Sequence, residues 1–227
     1  MAIIQEHGLV ASCQAVEGEP LFGYGVMPVM AKACVAGGAC AIRTSSVDDI
    51  LGVRKAVSVP VIGLIKRKYS DSEIYITPTL REVKEILATG CEVIALDATD
   101  RARPAGETLE ELVAYIRRTS PQTEIMADIA TISEAIHAQE LGFDYINSTL
   151  RGYTSETAGI AIPDMAFLAE MTSTLSARVI AEGGVWEVSQ LQQVLETGVY
   201  AVVIGSAITR PKDITHRFHT VLEKFYS

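Results

Sequence analysis

Polar and ionisable side chains stand at the ends of short apolar segments along this sequence, where they could exchange protons or bind anions. Gln14, Lys66, Asp128 and Glu182 end four such segments. The other four segments end at or near Arg43, Asp97, Asn147 and Gly205. An amine and carboxylates are the groups that general acid–base catalysis uses. If the segments are neighbouring strands, these side chains share one site.

A polar residue at the end of a strand is often only solvated or caps a helix, so each residue alone is a weak signal. Lys66, Asp128 and Glu182 together are stronger evidence for an active site, because they come from alternate segments, whose ends would point into one cavity. Lys66 precedes Arg67 and Lys68, and a plain basic loop is its simpler interpretation. Asp97 could cap the next helix, and Asn147 could satisfy loop backbone; both are second-rank candidates.

Eight short apolar segments must position these side chains, and all eight read as strands. They cover residues 9–14, 39–44, 61–66, 92–97, 124–128, 144–148, 178–182 and 201–205. Near-continuous apolar runs are typical of parallel strands that are buried on both faces. Helical periodicity lies between them, as in residues 80–87 and 109–116. Ser46, Thr108 and Thr131 each stand where a helix N-cap is expected.

A repeated unit predicts how the strands are arranged. Glycine leads into a strand at Gly38, Gly90, Gly142 and Gly198, at intervals of about 50 residues that each hold two strand–helix units. Eight such units predict a (β/α)8 TIM barrel, an α/β fold, as one catalytic domain over residues 1–227. An open doubly wound sheet is the alternative, but no Gly-rich dinucleotide loop follows the first strand.

The loops after the seventh and eighth strands predict a phosphate site. Gly183 and Gly184 follow one strand, and Gly205 and Ser206 follow the next. Active sites of TIM barrels lie at this end, and phosphate is frequently held by these two loops. Glycines allow backbone N–H groups to approach an anion closely. Arg210, just beyond, could reach the same anion or remain solvated.

Composition excludes several classes of function. The net charge is −9 and there is no basic run, so we expect no nucleic-acid partner. No apolar stretch predicts a signal peptide or a membrane helix, which leads us to expect a cytoplasmic protein without membrane partners. The four cysteines lack metal-ligand spacing. We expect Cys13 to form part of the pocket wall and the other three to be core residues.

The ordered set of motifs resembles the N-acylglucosamine-6-phosphate 2-epimerase family, which interconverts N-acetylmannosamine 6-phosphate and N-acetylglucosamine 6-phosphate. The matching segments are residues 9–15, 41–44, 60–66, 76–79, 96–99, 126–128, 148–153, 180–184 and 203–209. They span nearly the whole chain and fall mostly at strand ends. The resemblance implies a TIM barrel, a role in sialic-acid salvage, no cofactor, and a catalytic lysine and glutamate. These correspond to Lys66 and Glu182.

The implied reaction inverts C2 of the sugar, whose proton becomes acidic only when ring opening makes C1 an aldehyde. We expect Lys66 to remove the C2 proton, provided that burial or a neighbouring cation such as Arg43 lowers its pKa. Glu182 would act as acid and base at C1 and the ring oxygen. The reversed assignment, with Glu182 as base and Lys66 polarising the C1 oxygen, stays open.

Further residues are expected to bind the substrate. Gln14, Arg43 and Asp128 would orient it and stabilise developing enediolate charge. The remaining candidates follow the last strands: Thr149, Arg151 and Arg210. The loops over residues 67–79 and 151–159 could close over the sugar and exclude water.

Three competing functions share the predicted scaffold. Metal-dependent pentose-phosphate epimerases present histidine and aspartate ligands at strand ends, but all four histidines here fall elsewhere, so we expect no metal. Indole or thiamine biosynthetic barrels share the phosphate site but act on aromatic substrates. A sugar-phosphate sensor would not require both Lys66 and Glu182.

The last segment, residues 214–226, carries Phe218, Val221, Leu222 and Phe225 at helical spacing. This pattern predicts the eighth barrel helix. A homodimer contact through the same face, or exchange of the helix between copies, is the alternative.

Overall fold

The computed structural model describes residues 2–226. Met1 and Ser227, the ends of the predicted domain, lie outside the described residues. Eight parallel strands form a closed barrel in which each strand pairs with the next and β8 pairs with β1. The strands are β1 (Gly8–Cys13), β2 (Ala41–Ser45), β3 (Val61–Leu64), β4 (Val93–Asp97), β5 (Glu124–Asp128), β6 (Tyr145–Asn147), β7 (Arg178–Glu182) and β8 (Ala201–Ile204). The prediction of a single (β/α)8 barrel is confirmed.

The predicted strand positions agree with the structure to within two residues at each end. β5 and β7 have the predicted bounds, whereas β3 ends at Leu64, two residues before Lys66. The chain beyond β3 turns into a hairpin, in which Lys66 pairs with Ile76 and Tyr69 with Ser72 in antiparallel bridges. Lys66 is therefore held by the first bridge of a hairpin above the barrel rim.

Helices follow the strands and enclose the barrel. They are α1 (Met27–Ala36), α2 (Val47–Ala56), α3 (Leu80–Thr89), α4 (Leu109–Thr119), α5 (Ile132–Glu140), α6 (Met165–Thr174), α7 (Val188–Glu196), α8 (Ser206–Thr209) and α9 (Pro211–Tyr226). The predicted N-caps are confirmed. Ser46 accepts from the backbone of Asp49, and Thr108 and Thr131 each form a capping box with the glutamate three residues later.

Two apolar layers stabilise the fold. One fills the barrel interior, with Met126, Ile180 and Val203 among its members, and the other lies between the strands and the helices. Ile4 closes the floor of the interior. Its backbone N–H donates to the Tyr145 hydroxyl at 2.9 Å, and its carbonyl accepts from the Tyr200 hydroxyl at 2.8 Å. Glu124 and Arg178, which begin β5 and β7, contact Tyr145 at this same end, so the floor is closed by polar contacts around an apolar residue.

The C-terminal helix α9 departs from the prediction that it packs as the eighth barrel helix. None of its residues is buried, and Phe218 and Phe225 are 72% and 78% exposed. Arg217 pairs with Glu187 at the start of α7, but the apolar face has no covering partner among residues 2–226. The predicted helix is confirmed, while its predicted burial against the barrel is wrong.

Within residues 2–226, no helix is both long enough and apolar enough to cross a membrane.

Candidate active site

An open cavity of about 480 Å³ lies at the C-terminal end of the barrel strands. Its wall includes these predicted site residues: Gln14, Arg43, Lys66, Thr149, Glu182, Gly183, Gly184, Gly205, Ser206 and Arg210. Residues from six of the eight strand ends thus meet at one place. Parallel strands of a barrel present their carboxyl ends at the same rim, which is why distant parts of the sequence converge here.

The Lys66 side chain is largely buried and makes neither a hydrogen bond nor an ion pair with any residue between 2 and 226. The pKa of its ammonium is lowered to about 8, first by burial and then by the nearby guanidinium groups of Arg43 and Arg210. Glu182 and Glu19 act in the opposite direction. An amine with this pKa is partly neutral near physiological pH and can accept a proton.

Arg43 lies at the centre of a buried charge cluster. Its Nη2 donates to Asp128 Oδ2 at 2.6 Å, and its Nε lies 3.4 Å from Glu182 Oε2. Arg43 and Asp128 are almost completely inaccessible, whereas the Glu182 side chain keeps 15% exposure. Asp128 does not itself line the cavity and instead lies behind Arg43. One guanidinium therefore compensates two carboxylates and holds Glu182 at the wall.

Thr149 lines the cavity and contacts both carboxylates. Its hydroxyl lies 2.8 Å from Asp128 Oδ1 and 2.9 Å from Glu182 Oε2. Asn147, at the end of β6, approaches the same two oxygens from the barrel interior. From the sequence, Asn147 was a second-rank candidate because its amide could have satisfied loop backbone. Within residues 2–226, its side chain instead bonds only to other side chains.

The glycine-rich loops after β7 and β8 form one end of the cavity, as predicted. Gly183 and Gly184 have φ of 115° and 74°, a region that favours glycine. A Cβ on Gly184 would lie 2.4 Å from the carbonyl carbon and oxygen of Ile162. The tight packing of the loop after β7 against Ile162, in the loop after β6, requires glycine at position 184. Ser206 begins α8 beside this loop.

Arg210 and Arg151 are placed differently. Arg210 lines the cavity beside the glycine loops, and its Nη1 pairs with Glu19 Oε1 at 2.8 Å. Arg151 does not line the main cavity. Its guanidinium is held by Asp164, at 2.9 Å from Nη2 to Oδ2, and it stacks over Phe167. Arg210 therefore lies at the cavity, whereas Arg151 lies outside the cavity wall, bound to Asp164.

The expectation that Cys13 forms part of the pocket wall is wrong. Its side chain points outward from β1 into the layer between strands and helices and is fully buried there, which raises the pKa of the thiol. Side chains alternate along a strand, so the neighbours Ser12 and Gln14 face the cavity instead. Asp97 is also outside the cavity wall, and its carboxylate accepts from Thr99 and Arg101.

Several wall residues were not named as binding candidates from the sequence, among them Ser12, Tyr75, Tyr153, Ile162 and Trp186. Tyr75 and Tyr153 belong to the loops over residues 67–79 and 151–159 that were expected to close over the sugar. Apart from Ser12, these residues lie in loops between strand and helix, where no periodic pattern shows which way a side chain points. Only Ser12 had a usable signal, since it precedes Gln14 by two residues on the same strand face.

Among residues 2–226, no three or more His, Cys, Asp and Glu side chains are grouped so that they could hold a metal ion. The expectation of a metal-free and cofactor-free site stays a prediction.

Comparison with known proteins agrees with this geometry. Residues 27–224 match the NanE family, described as "Putative N-acetylmannosamine-6-phosphate epimerase". The chain belongs to this family. A relative from Staphylococcus carnosus (strain TM300), described as "Putative N-acetylmannosamine-6-phosphate 2-epimerase", is 52% identical over 213 residues, 93% of this chain and 95% of the relative.

A solved structure gives the same result. The N-acetylmannosamine-6-phosphate 2-epimerase from Clostridium perfringens superposes with a TM-score of 0.92 at 44% identity, covering 96% of this chain and 94% of the other. A thiamine phosphate pyrophosphorylase from Pyrococcus furiosus, at 17% identity and a TM-score of 0.61, shares the barrel fold alone. Membership of the NanE family makes the chain an isomerase that acts on a carbohydrate derivative, and it confirms the resemblance inferred from the sequence.

Proposed function

We propose that the protein interconverts N-acetylmannosamine 6-phosphate and N-acetylglucosamine 6-phosphate by removing the C2 proton and returning one to the opposite face. The observation that carries the proposal is the pair Lys66 and Glu182 in one cavity wall, with Lys66 unpaired within residues 2–226 and its pKa lowered to about 8. Inversion beside a carbonyl requires two groups that exchange protons, and this pair supplies them.

In the proposed mechanism Glu182 moves a proton between the C1 oxygen and the ring oxygen, which opens the ring and makes C1 an aldehyde. Neutral Lys66 then removes the C2 proton, and the resulting enolate charge lies near Arg43. The proton held by Lys66 then returns to the other face of C2, relayed by a substrate hydroxyl, and reversal of the Glu182 proton transfer closes the ring. The reversed assignment of Lys66 and Glu182 predicts a different pH dependence, which distinguishes the two.

The remaining site residues are assigned by their places in the cavity. Gly183, Gly184, Gly205 and Ser206 would bind the 6-phosphate through backbone N–H groups and a hydroxyl, with Arg210 supplying positive charge. Gln14 and Thr149 would contact sugar hydroxyls, and Arg43 with Asp128 behind it would orient the acylamino end. Arg151 would act on the substrate only if its contact with Asp164 opened.

The biological setting is part of the same proposal. We place the reaction in the catabolism of sialic acid, in the cytoplasm, with no cofactor or metal and no nucleic-acid or membrane partner. We also propose a homodimer. Helix α9 is amphipathic, and no residue between 2 and 226 covers its apolar face. Exposed apolar patches of this kind mark association sites.

The proposed reaction is tested by incubating the purified protein with N-acetylmannosamine 6-phosphate in deuterium oxide with a chelator, followed by proton NMR of C1 and C2. The expected result is the gluco epimer with deuterium at C2. Lys66→Ala and Glu182→Gln should lose epimer formation, while Lys68→Ala, on the exposed neighbour, should not. A folded protein that gives neither epimer nor exchange contradicts the proposal.

A further inference from the structure

Asn147 occupies a place between the two carboxylates of the site. Its Nδ2 lies 2.6 Å from Glu182 Oε2 and 3.1 Å from Asp128 Oδ1, and 2.5 Å from the Thr149 hydroxyl. The side chain is fully buried and does not line the cavity. An amide nitrogen carries two hydrogens, so it can donate to both carboxylates at once.

The orientation of this amide is dictated by the carboxylates. Asn147 Oδ1 is buried without a hydrogen-bond partner among residues 2–226. Rotating the amide by half a turn would bring this acceptor against two further acceptors, the oxygens of Glu182 and Asp128. The nitrogen end therefore makes every hydrogen bond, and the oxygen end is left unsatisfied. A residue needed only to fill space would not require this arrangement.

These contacts hold one oxygen of the Glu182 carboxylate in place. Its Oε2 accepts from Asn147 and Thr149 and lies beside Arg43 Nε, while its Oε1 has no hydrogen bond with a described residue. Glu182 is thereby fixed through one oxygen, and the other is left for the substrate. Proton transfer requires reacting atoms held in close and constant geometry, so a carboxylate that could rotate would act less often.

We propose that Asn147 is a positioning residue that fixes the Glu182 carboxylate for proton transfer through the bond from Nδ2 to Oε2. This inference rests on the proposed role of Glu182 in epimerisation. It assigns Asn147 no contact with the substrate, so substitution should lower kcat and leave KM nearly unchanged. If Asn147 were purely structural, its substitution should lower kcat by the same factor whether or not Glu182 is also substituted.

The test is a double-mutant cycle between Asn147→Leu, which keeps the shape and removes the donor, and Glu182→Asp, which draws the carboxylate away from Asn147. Asn147→Leu alone should lower kcat about 10- to 100-fold with KM within about threefold, less than the roughly 10²- to 10⁴-fold that general acid–base catalysis contributes as a whole. In the Glu182→Asp background the same substitution should change kcat less than about twofold. Equal effects in both backgrounds would overturn the inference.

Two controls make the outcome decisive. Thr44→Val removes a buried hydroxyl on β2 that donates to the Cys13 carbonyl and not to a carboxylate of the site, and it should have the same small effect in both backgrounds. Asn147→Asp keeps the shape but replaces the donor with an acceptor, and its kcat relative to the parent should fall at least as far as that of Asn147→Leu. An Asn147→Asp protein as active as the parent would also overturn the inference.

Failure of the proposed function gives a different result. If Glu182→Asp and Glu182→Gln keep full activity, the catalytic role of Glu182 is wrong whatever Asn147 does. If they lose activity and the cycle is additive, only the role of Asn147 is wrong.

Discussion

The ammonium group of Lys66 lies in a wall that also contains two guanidinium groups, and its low pKa of about 8 is caused first by burial and then by Arg43 and Arg210. This combination sets the pH at which the side chain can act as a base. It also lowers the free energy of unfolding, because a buried charged amine is less stable than one in water.

We predict that kcat/KM rises with pH and levels above about pH 8, because only neutral Lys66 can remove a proton. The reversed assignment needs charged Lys66 and predicts a fall through the same pH. Initial rates between about pH 7 and 9.5 decide between them, since the second ionisation of a phosphate lies near 6, below this window.

We predict that Lys66→Met is inactive but more stable than the parent at pH 7. The folded pKa of about 8 lies below the ordinary 10.5, so folding disfavours the charged amine. This cost is fully present below about pH 8 and disappears as pH rises toward 10.5. It amounts to up to ~3 kcal/mol, which urea unfolding can measure.

The control for this measurement is Lys68→Met, on an exposed neighbour, whose stability should stay within about 0.5 kcal/mol of the parent. The difference in free energy of unfolding between Lys66→Met and the parent should be smaller at pH 10 than at pH 7. A less stable Lys66→Met protein at pH 7 would show that burial of the amine is not costly.

At the scale of elements, the loop after β7 forms the part of the cavity that we propose binds the phosphate. Gly184→Ala should raise KM at least about tenfold and destabilise the protein, because its Cβ would meet the Ile162 carbonyl at 2.4 Å with φ at 74°. Gly198→Ala is the matched control. It has φ of 82° but open space around its Cβ, so it should cost about 1 kcal/mol of stability and leave KM unchanged. Steady-state kinetics and thermal melting separate the two effects.

The sequence predicted the elements better than the directions of their side chains. Apolar runs and capping signals at Ser46, Thr108 and Thr131 located strands and helices because burial and hydrogen bonding act locally. Cys13 was assigned to the wrong face, since one residue reverses the direction of a strand side chain. Trp186 was missed, and the loops that hold Tyr75 and Tyr153 were identified without the directions of these two side chains, because irregular loops have no period and their positions depend on contacts between distant segments.

At the scale of the whole molecule, α9 extends a row of apolar side chains that nothing within residues 2–226 covers. We predict that Phe218→Asp with Leu222→Asp, one turn apart on this face, converts a dimer into a monomer in light scattering. His216→Asp with Thr220→Asp, on the opposite face, should leave the mass unchanged. A parent protein that is already monomeric at micromolar concentration would show the homodimer to be wrong.

The bonds of Ile4 to Tyr145 and Tyr200 join it to residues 141 and 196 positions away in the chain. During synthesis on the ribosome, β1 emerges long before β8, so its outer edge stays unpaired until the last strand appears. An open edge of a parallel sheet readily pairs with other chains. The nascent barrel is therefore exposed to aggregation for most of its translation, and its yield in cells should depend on chaperones more than the stability of the finished enzyme suggests.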